Sequence, residues 1–170
     1  MKQEELAMIK SAIEDKMNLK IKEFNKIYQA TVHGGEPSNF HKKCDGKKNT
    51  LVLYESKENR RFGGFTSEAW DSKNEDKIDK KCFLFSLDKS KIFPPKKYNY
   101  EINCNSNYVP GFIRNGIYCI QLLENGKLKT AETLHKDLFN GERNILSEDG
   151  EWDAISYKDF EVFQIVFIKI

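Results

Sequence analysis

FHKKCDGKKNTLVLYESKENRRFGGFTSEAW, from Phe40 to Trp70, is the stretch on which the fold turns, and CFLFSL, from Cys82 to Leu87, answers it. Ser38 offers an N-cap for a short helical segment, NFHKKC, which carries His41 and Cys44 and stops at the tight turn Asp45-Gly46. Thr50 to Tyr54 (TLVLY) is β-branched and aromatic and reads as a strand. Arg61 to Thr66 (RFGGFT) is its antiparallel partner across the charged turn SKEN. Glycine weakens a strand, so Gly63-Gly64 marks a bulge or a place where another backbone or ring comes very close. Trp70 is the expected ring. CFLFSL has the unbroken apolar run of a buried strand, expected at the centre of its sheet.

Outward from this stretch, Leu6, Ile9, Ile13 and Met17 recur at the three-and-four spacing of an amphipathic helix over residues 2–18. Such a stripe suits a helix packed on its own domain, and it equally suits the end of a coiled coil. Residues 19–31, LKIKEFNKIYQAT, read as a helix end followed by a short strand, before His33-Gly34-Gly35 and Pro37 break the chain. On the other side, residues 71–81 (DSKNEDKIDKK) read as a solvated loop, and Ile92-Phe93-Pro94-Pro95 closes the unit around CFLFSL. Asn99 to Asn107 holds one short strand at most. Phe112-Ile113 and Ile117 to Leu123 flank Arg114-Asn115-Gly116, a hairpin signature, and a further strand follows Glu124-Asn125-Gly126. Thr130 to Asn140 fits a helix. Asp159 to Ile170 (DFEVFQIVFIKI) alternates and then runs apolar, as a strand buried in a sandwich core does. Runs of strands with helices near both ends predict an α+β fold. Its form is an antiparallel two-sheet β-sandwich flanked by short helices, with an N-terminal amphipathic helix.

At 170 residues the chain supports one hydrophobic core, and 39% apolar with 32% charged residues fits a soluble domain. No apolar run approaches the roughly 20 residues of a membrane helix. The opening MKQEELAMIK mixes charge with apolar residues, unlike a signal peptide, so the chain reads as intracellular. Cys44, Cys82, Cys104 and Cys119 are scattered without a C-x-x-C pair and are expected as reduced thiols. The formal charge of +2 hides an asymmetry: seven basic against three acidic residues from Lys42 to Arg61, and four against nine from Ala131 onward.

One arrangement in the sequence could carry chemistry. His41 and Cys44 stand three apart on a helix, close enough for a thiolate-imidazolium pair. Such a nucleophile also needs an orienting group and an oxyanion site, and neither is visible. The plainer expectation makes Cys44 a small buried hydrophobe and His41 a surface group. His33, His41 and His135 do not converge with the cysteines at metal-ligand spacing, so no metal is expected. Gly63-Gly64-Phe65 lacks the spacing that cradles phosphates, so no nucleotide cofactor is expected. Glu148, Asp149, Glu151 and Asp153 read as a solvated acidic loop. The pairs Lys42-Lys43, Lys47-Lys48, Arg60-Arg61, Lys80-Lys81 and Lys96-Lys97 would form a phosphate-binding patch if they fell on one face. Nucleic acid is disfavoured as the ligand, because a sequence pI near 8.2 is only mildly basic.

Taken in order, FHKKCDGK, FGGFTSEAW, FLFSL and the closing FEVFQIVF resemble the TLDc domain, with the similarity running from Leu19 to Ile170 and residues 1–18 standing before it as a separate helix. The resemblance implies a sandwich in which Gly46, Gly63, Gly64, Trp70 and Glu161 are structural motif residues. It thins at Tyr108 to Gly116 and at Leu122 to Asn140. It further implies a noncatalytic protein-interaction domain, cytoplasmic and peripheral to endolysosomal or vacuolar membranes. That domain is linked to oxidative-stress protection and to regulation of the vacuolar proton-pumping ATPase, whose subunits are the expected partners. Lys47, Lys48, Arg60 and Arg61 are the residues expected to steer that encounter. Two other readings stand beside it: a thiol-dependent peroxide scavenger using Cys44 and His41, and a basic-patch adaptor for phosphoinositides or an acidic membrane surface.

Overall fold

The long strand predicted at the C-terminal end is the spine of the structure. In the computed structural model, which describes residues 1–57, 59–95, 97–122, 127–129 and 155–168, it runs without a break as β11 (Ile155–Phe167). One side of β11 pairs antiparallel with β2 (Thr50–Ser56), and the other with β1 (Ile21–Gln29). The main sheet continues through β3 (Arg61–Thr66), β5 (Phe83–Ser86) and β6 (Lys91–Phe93). A second run of antiparallel strands joins β4 (Lys77–Asp79), β7 (Tyr100–Ile102), β8 (Phe112–Arg114) and β9 (Ile117–Leu122). β10 (Lys127–Lys129) pairs with β9 and, over two residues, with the start of β11, which links the two sheets. The expected antiparallel sandwich is therefore present.

Three helices complete the described elements. α1 (Gln3–Met17) is the predicted amphipathic helix, α2 (Ala30–His33) is a single turn, and α3 (Pro37–Cys44) carries the His41/Cys44 pair. α3 starts one residue before Ser38: Glu36 is the cap and Pro37 takes the first helical position, where its missing N–H costs nothing. The helix end expected near Leu19 does not extend past Met17. Asn18 adopts a left-handed conformation (φ 54°), and Phe24, Ile27 and Tyr28 belong to β1. The predicted helix over residues 130–140 and the acidic loop at 148–153 lie outside the described residues.

Each face of the main sheet has its own core. Val52, Tyr54, Phe62, Leu84, Phe160 and Val162 meet Tyr100, Ile102, Phe112, Ile120 and Leu122 of the second sheet, together with Phe40 and Cys44 of α3 and Trp70. Leu51, Leu53, Phe65, Phe83, Phe85 and Ile165 point the other way and are covered by Ile9 and Ile13 of α1. Burial on both faces explains why TLVLY and FLFS read as unbroken apolar runs rather than alternating ones. The stripe on α1 is rotated from the expected one. Met8, Ile9, Ala12, Ile13 and Met17 face the sheet, while Leu6 is exposed.

Gly63 and Gly64 sit in a regular β2–β3 register with no bulge, so close approach is their reason. A Cβ on Gly63 would lie 1.8 Å from the Val52 carbonyl oxygen, and one on Gly64 would lie 2.6 Å from the Phe112 ring. The rings at the glycines are thus Phe85 at Gly63 and Phe112 at Gly64, not Trp70. Trp70 packs edge-on against Phe112 and Phe40 and donates its indole N–H to Thr50 Oγ1 at 2.8 Å. Strand β5 lies between β3 and β6, with β2 and β11 nearer the middle of the sheet. The segment expected as a solvated loop at residues 71–81 contains β4, and its Asp79 is buried.

Candidate functional site

The short helix and its turn place His41, Cys44 and Asp45 against the second sheet. His41 is 7% exposed, not the surface group the sequence suggests. Its Nδ1 is 2.7 Å from Asp45 Oδ1, and its Nε2 lies 3.1 Å and 2.9 Å from the carbonyl oxygens of Asn105 and Tyr108. Both ring nitrogens face oxygen atoms of neighbouring residues. The ring therefore ties α3 to the loop between β7 and β8. Asp45 Oδ2 in turn accepts from the Ser72 hydroxyl at 2.7 Å, and Gly46, in a left-handed conformation (φ 77°), donates its N–H to the Trp70 carbonyl.

Ser72, Asp45 and His41 are the residue types of a hydrolytic triad, wired in an order that does no such chemistry. A triad places the imidazole between hydroxyl and carboxylate so that it can take the hydroxyl proton. Here the carboxylate lies in the middle, and the hydroxyl donates to it. Cys44 is completely buried, and burial pushes its thiol up to about 12, with the Asp45 carboxylate adding to the shift. A thiol so placed holds its proton at neutral pH and is a poor nucleophile. Burial also raises Cys82, Cys119 and Cys104, the last to about 11, and all four cysteines are free. Among the described residues, which leave out His135, no three His, Cys, Asp or Glu side chains gather as metal ligands.

The residues expected to steer a partner are split by the structure. Lys47 and Lys48 are exposed beside the Thr50 end of the β2–β3 hairpin, whereas Arg60 and Arg61 lie at its other end, opposite Glu55 and Ser56. Five steps of strand separate the paired positions Thr50 and Glu55, about 17 Å at the usual rise per residue. Arg61 is also committed internally. Its guanidinium donates to both carboxylate oxygens of Glu5 at 3.0 and 2.5 Å, and its backbone N–H donates to Asp88. This pair docks α1 onto the sheet, with the Arg61 bond holding the Glu5 carboxyl below its ordinary range and raising Arg61 in return. Arg60 closes the turn through backbone bonds with Ser56.

Glu161, expected as a motif residue, lies on β11 opposite Leu53 and Gln29, where its carboxylate accepts from Lys26 Nζ at 2.5 Å across the β1–β11 pair. Two polar anchors escaped sequence reading. Asp79 takes hydrogen bonds from Thr66, from the backbone and hydroxyl of Ser67, and from the Lys81 N–H. Glu5 was hidden in a charged helix start; its one local signal is its place three residues into the helix, where it accepts the Lys2 N–H as helix-capping acids do.

The comparison with family models agrees with this architecture. The model described as TLDc domain matches residues 1–166 of the 170. The chain belongs to the TLDc domain family. The match takes in α1, whereas the resemblance read from sequence begins at Leu19. No curated protein matches the chain. For this TLDc domain the landmarks read from sequence, the FHKKCDGK helix and turn and the FGGF strand, surround the Trp70, Phe112 and Phe40 packing. Their shared task is to hold the second sheet and α3 onto the main sheet.

Proposed function

We propose that this chain is a noncatalytic protein-interaction domain whose partner is the vacuolar proton-pumping ATPase, and that through this contact it serves oxidative-stress protection. On this reading it works in the cytoplasm, peripheral to endolysosomal or vacuolar membranes. The observation that carries the reading is the TLDc match over residues 1–166. The buried, protonated thiol of Cys44 and the occupied nitrogens of His41 favour it over a thiol-dependent peroxide scavenger.

Purified proton-pump subcomplexes should be retained by the immobilised domain, and the same preparation should consume no peroxide beyond stoichiometric thiol oxidation. Retention without turnover supports the reading. Peroxide turnover abolished by Cys44→Ser, with no pump subunit retained, would replace it by the scavenger.

A further inference from the structure

The turn before β2, the turn before β5 and the end of α1 all carry lysines, and the sheet register brings them to one place. Thr50 pairs with Thr66, and Phe65 with Phe83, so Lys47 and Lys48 before β2 and Lys80 and Lys81 before β5 leave the same end of three neighbouring strands. At that end the Ile165 N–H of β11 bonds the Asn49 carbonyl, and the Ile168 N–H bonds the Lys20 carbonyl just before β1. Five adjacent strands thus finish in one rim about 20 Å wide at the usual strand spacing. Glu14 of α1 accepts the Ile21 N–H at the start of β1, which brings the helix end to this rim as well.

Three of the carboxylates that could neutralise the rim are occupied. Glu14 accepts from Lys20 Nζ and the Ile21 N–H, Asp79 is buried in its own bonds, and Asp45 is held by His41 and Ser72. Asp15 and Glu23 remain exposed there, and Glu68, two residues past the end of β3, is partly exposed. Lys47, Lys48, Lys80 and Lys81 are exposed, and none is in a salt bridge among the described residues. At the β1 edge of the rim Leu19 and Ile168, 36% and 50% exposed, line one shallow recess together with Glu14, Asp15, Asn18 and Lys20.

We infer that this rim is a docking face for an anionic bilayer surface, with the lysines over the headgroups and Leu19 and Ile168 reaching the interface. The composition favours a membrane over an acidic protein. The lysines and apolar tips described here supply diffuse charge and interfacial contact, whereas protein hot spots rely on arginine forks and aromatic anchors. The inference goes beyond the protein-binding reading and does not rest on it.

The test is co-sedimentation of the full chain with vesicles of phosphatidylcholine alone or with about a third phosphatidylserine, a surface to which each lysine near it adds about fivefold. The chain should sediment with the anionic vesicles only and be released by high salt. Joint Lys47→Glu, Lys48→Glu, Lys80→Glu and Lys81→Glu should lower partitioning at least about 100-fold on that scale. Lys57→Glu, at the far end of the hairpin, should leave it unchanged. Because the combined variant carries four changes, each double variant is measured too, with thermal unfolding as the folding check; a folded double variant should lose at least about tenfold. Leu19→Ser with Ile168→Ser should raise the salt sensitivity. No sedimentation of the parent chain at low salt would overturn the inference, as would folded lysine variants that bind like the parent. Binding to soluble polyglutamate as tight as to vesicles would also overturn it, in favour of an acidic protein face.

Discussion

At Gly63 the missing side chain is a packing requirement. Alanine there would place its methyl carbon 1.8 Å from the Val52 carbonyl oxygen, a contact only backbone movement could relieve. Gly63→Ala should therefore cost at least about 3 kcal/mol in urea unfolding. Gly64→Ala meets a ring instead, and Phe112→Leu in the same chain should recover part of its loss. His41→Ala should cost about 1–3 kcal/mol, because the Asn105 and Tyr108 carbonyls and Asp45 lose their shared donor. The cysteines are protected by the same packing. Native protein should react slowly with a thiol-specific dye at neutral pH, and the denatured chain should release all four thiols. Their raised folded values have a consequence of definite sign. As the pH climbs past the ordinary thiol value of about 8.5, only the unfolded chain can release these protons, so stability should fall.

At the scale of elements, α1 behaves as part of the domain. Ile9 and Ile13 are fully buried against the main sheet, and truncating either to alanine should cost about 2–4 kcal/mol in denaturant unfolding. Glu5 and Arg61 fasten the same helix by charge. The folded Glu5 carboxyl ionises below its unfolded value of about 4.3. The contribution of the pair is therefore complete above that pH and is lost as the pH falls through the lower folded value. Glu5→Gln should flatten this part of the acid limb in a stability profile. β4 shows the converse case, an element invisible to hydropathy. Its sequence, KID, is mostly charged, yet Asp79 is buried because Thr66, Ser67 and Lys81 supply its donors.

At the scale of the whole molecule, one charge-rich stretch serves two different ends of the sheet. Lys47→Glu with Lys48→Glu should stay within about 0.5 kcal/mol of the parent in unfolding, as exposed surface changes do. Arg61→Glu should destabilise by more than about 1 kcal/mol, since it repels Glu5 and releases α1. The hairpins, the long closing strand and the amphipathic helix were readable from local pattern. Thr50–Ser56 and Arg61–Thr66 announce themselves by β-branched and aromatic content around a polar turn, and Asn115-Gly116 by two positive φ angles, 52° and 72°, that few other pairs adopt. The FHKKCDGK and FGGF landmarks likewise sufficed for the family. Tertiary structure alone decided that Phe112, from a distant strand, fills the space over Gly64, that His41 is buried, and that Arg61 is committed to Glu5 while Lys47 and Lys48 remain exposed. The reason is one of range. Helix and strand periodicity and turn conformation arise among residues a few positions apart. The neighbour across a sheet or sandwich, and hence which charge is paired and which faces solvent, depends on the register of segments that lie far apart along the chain.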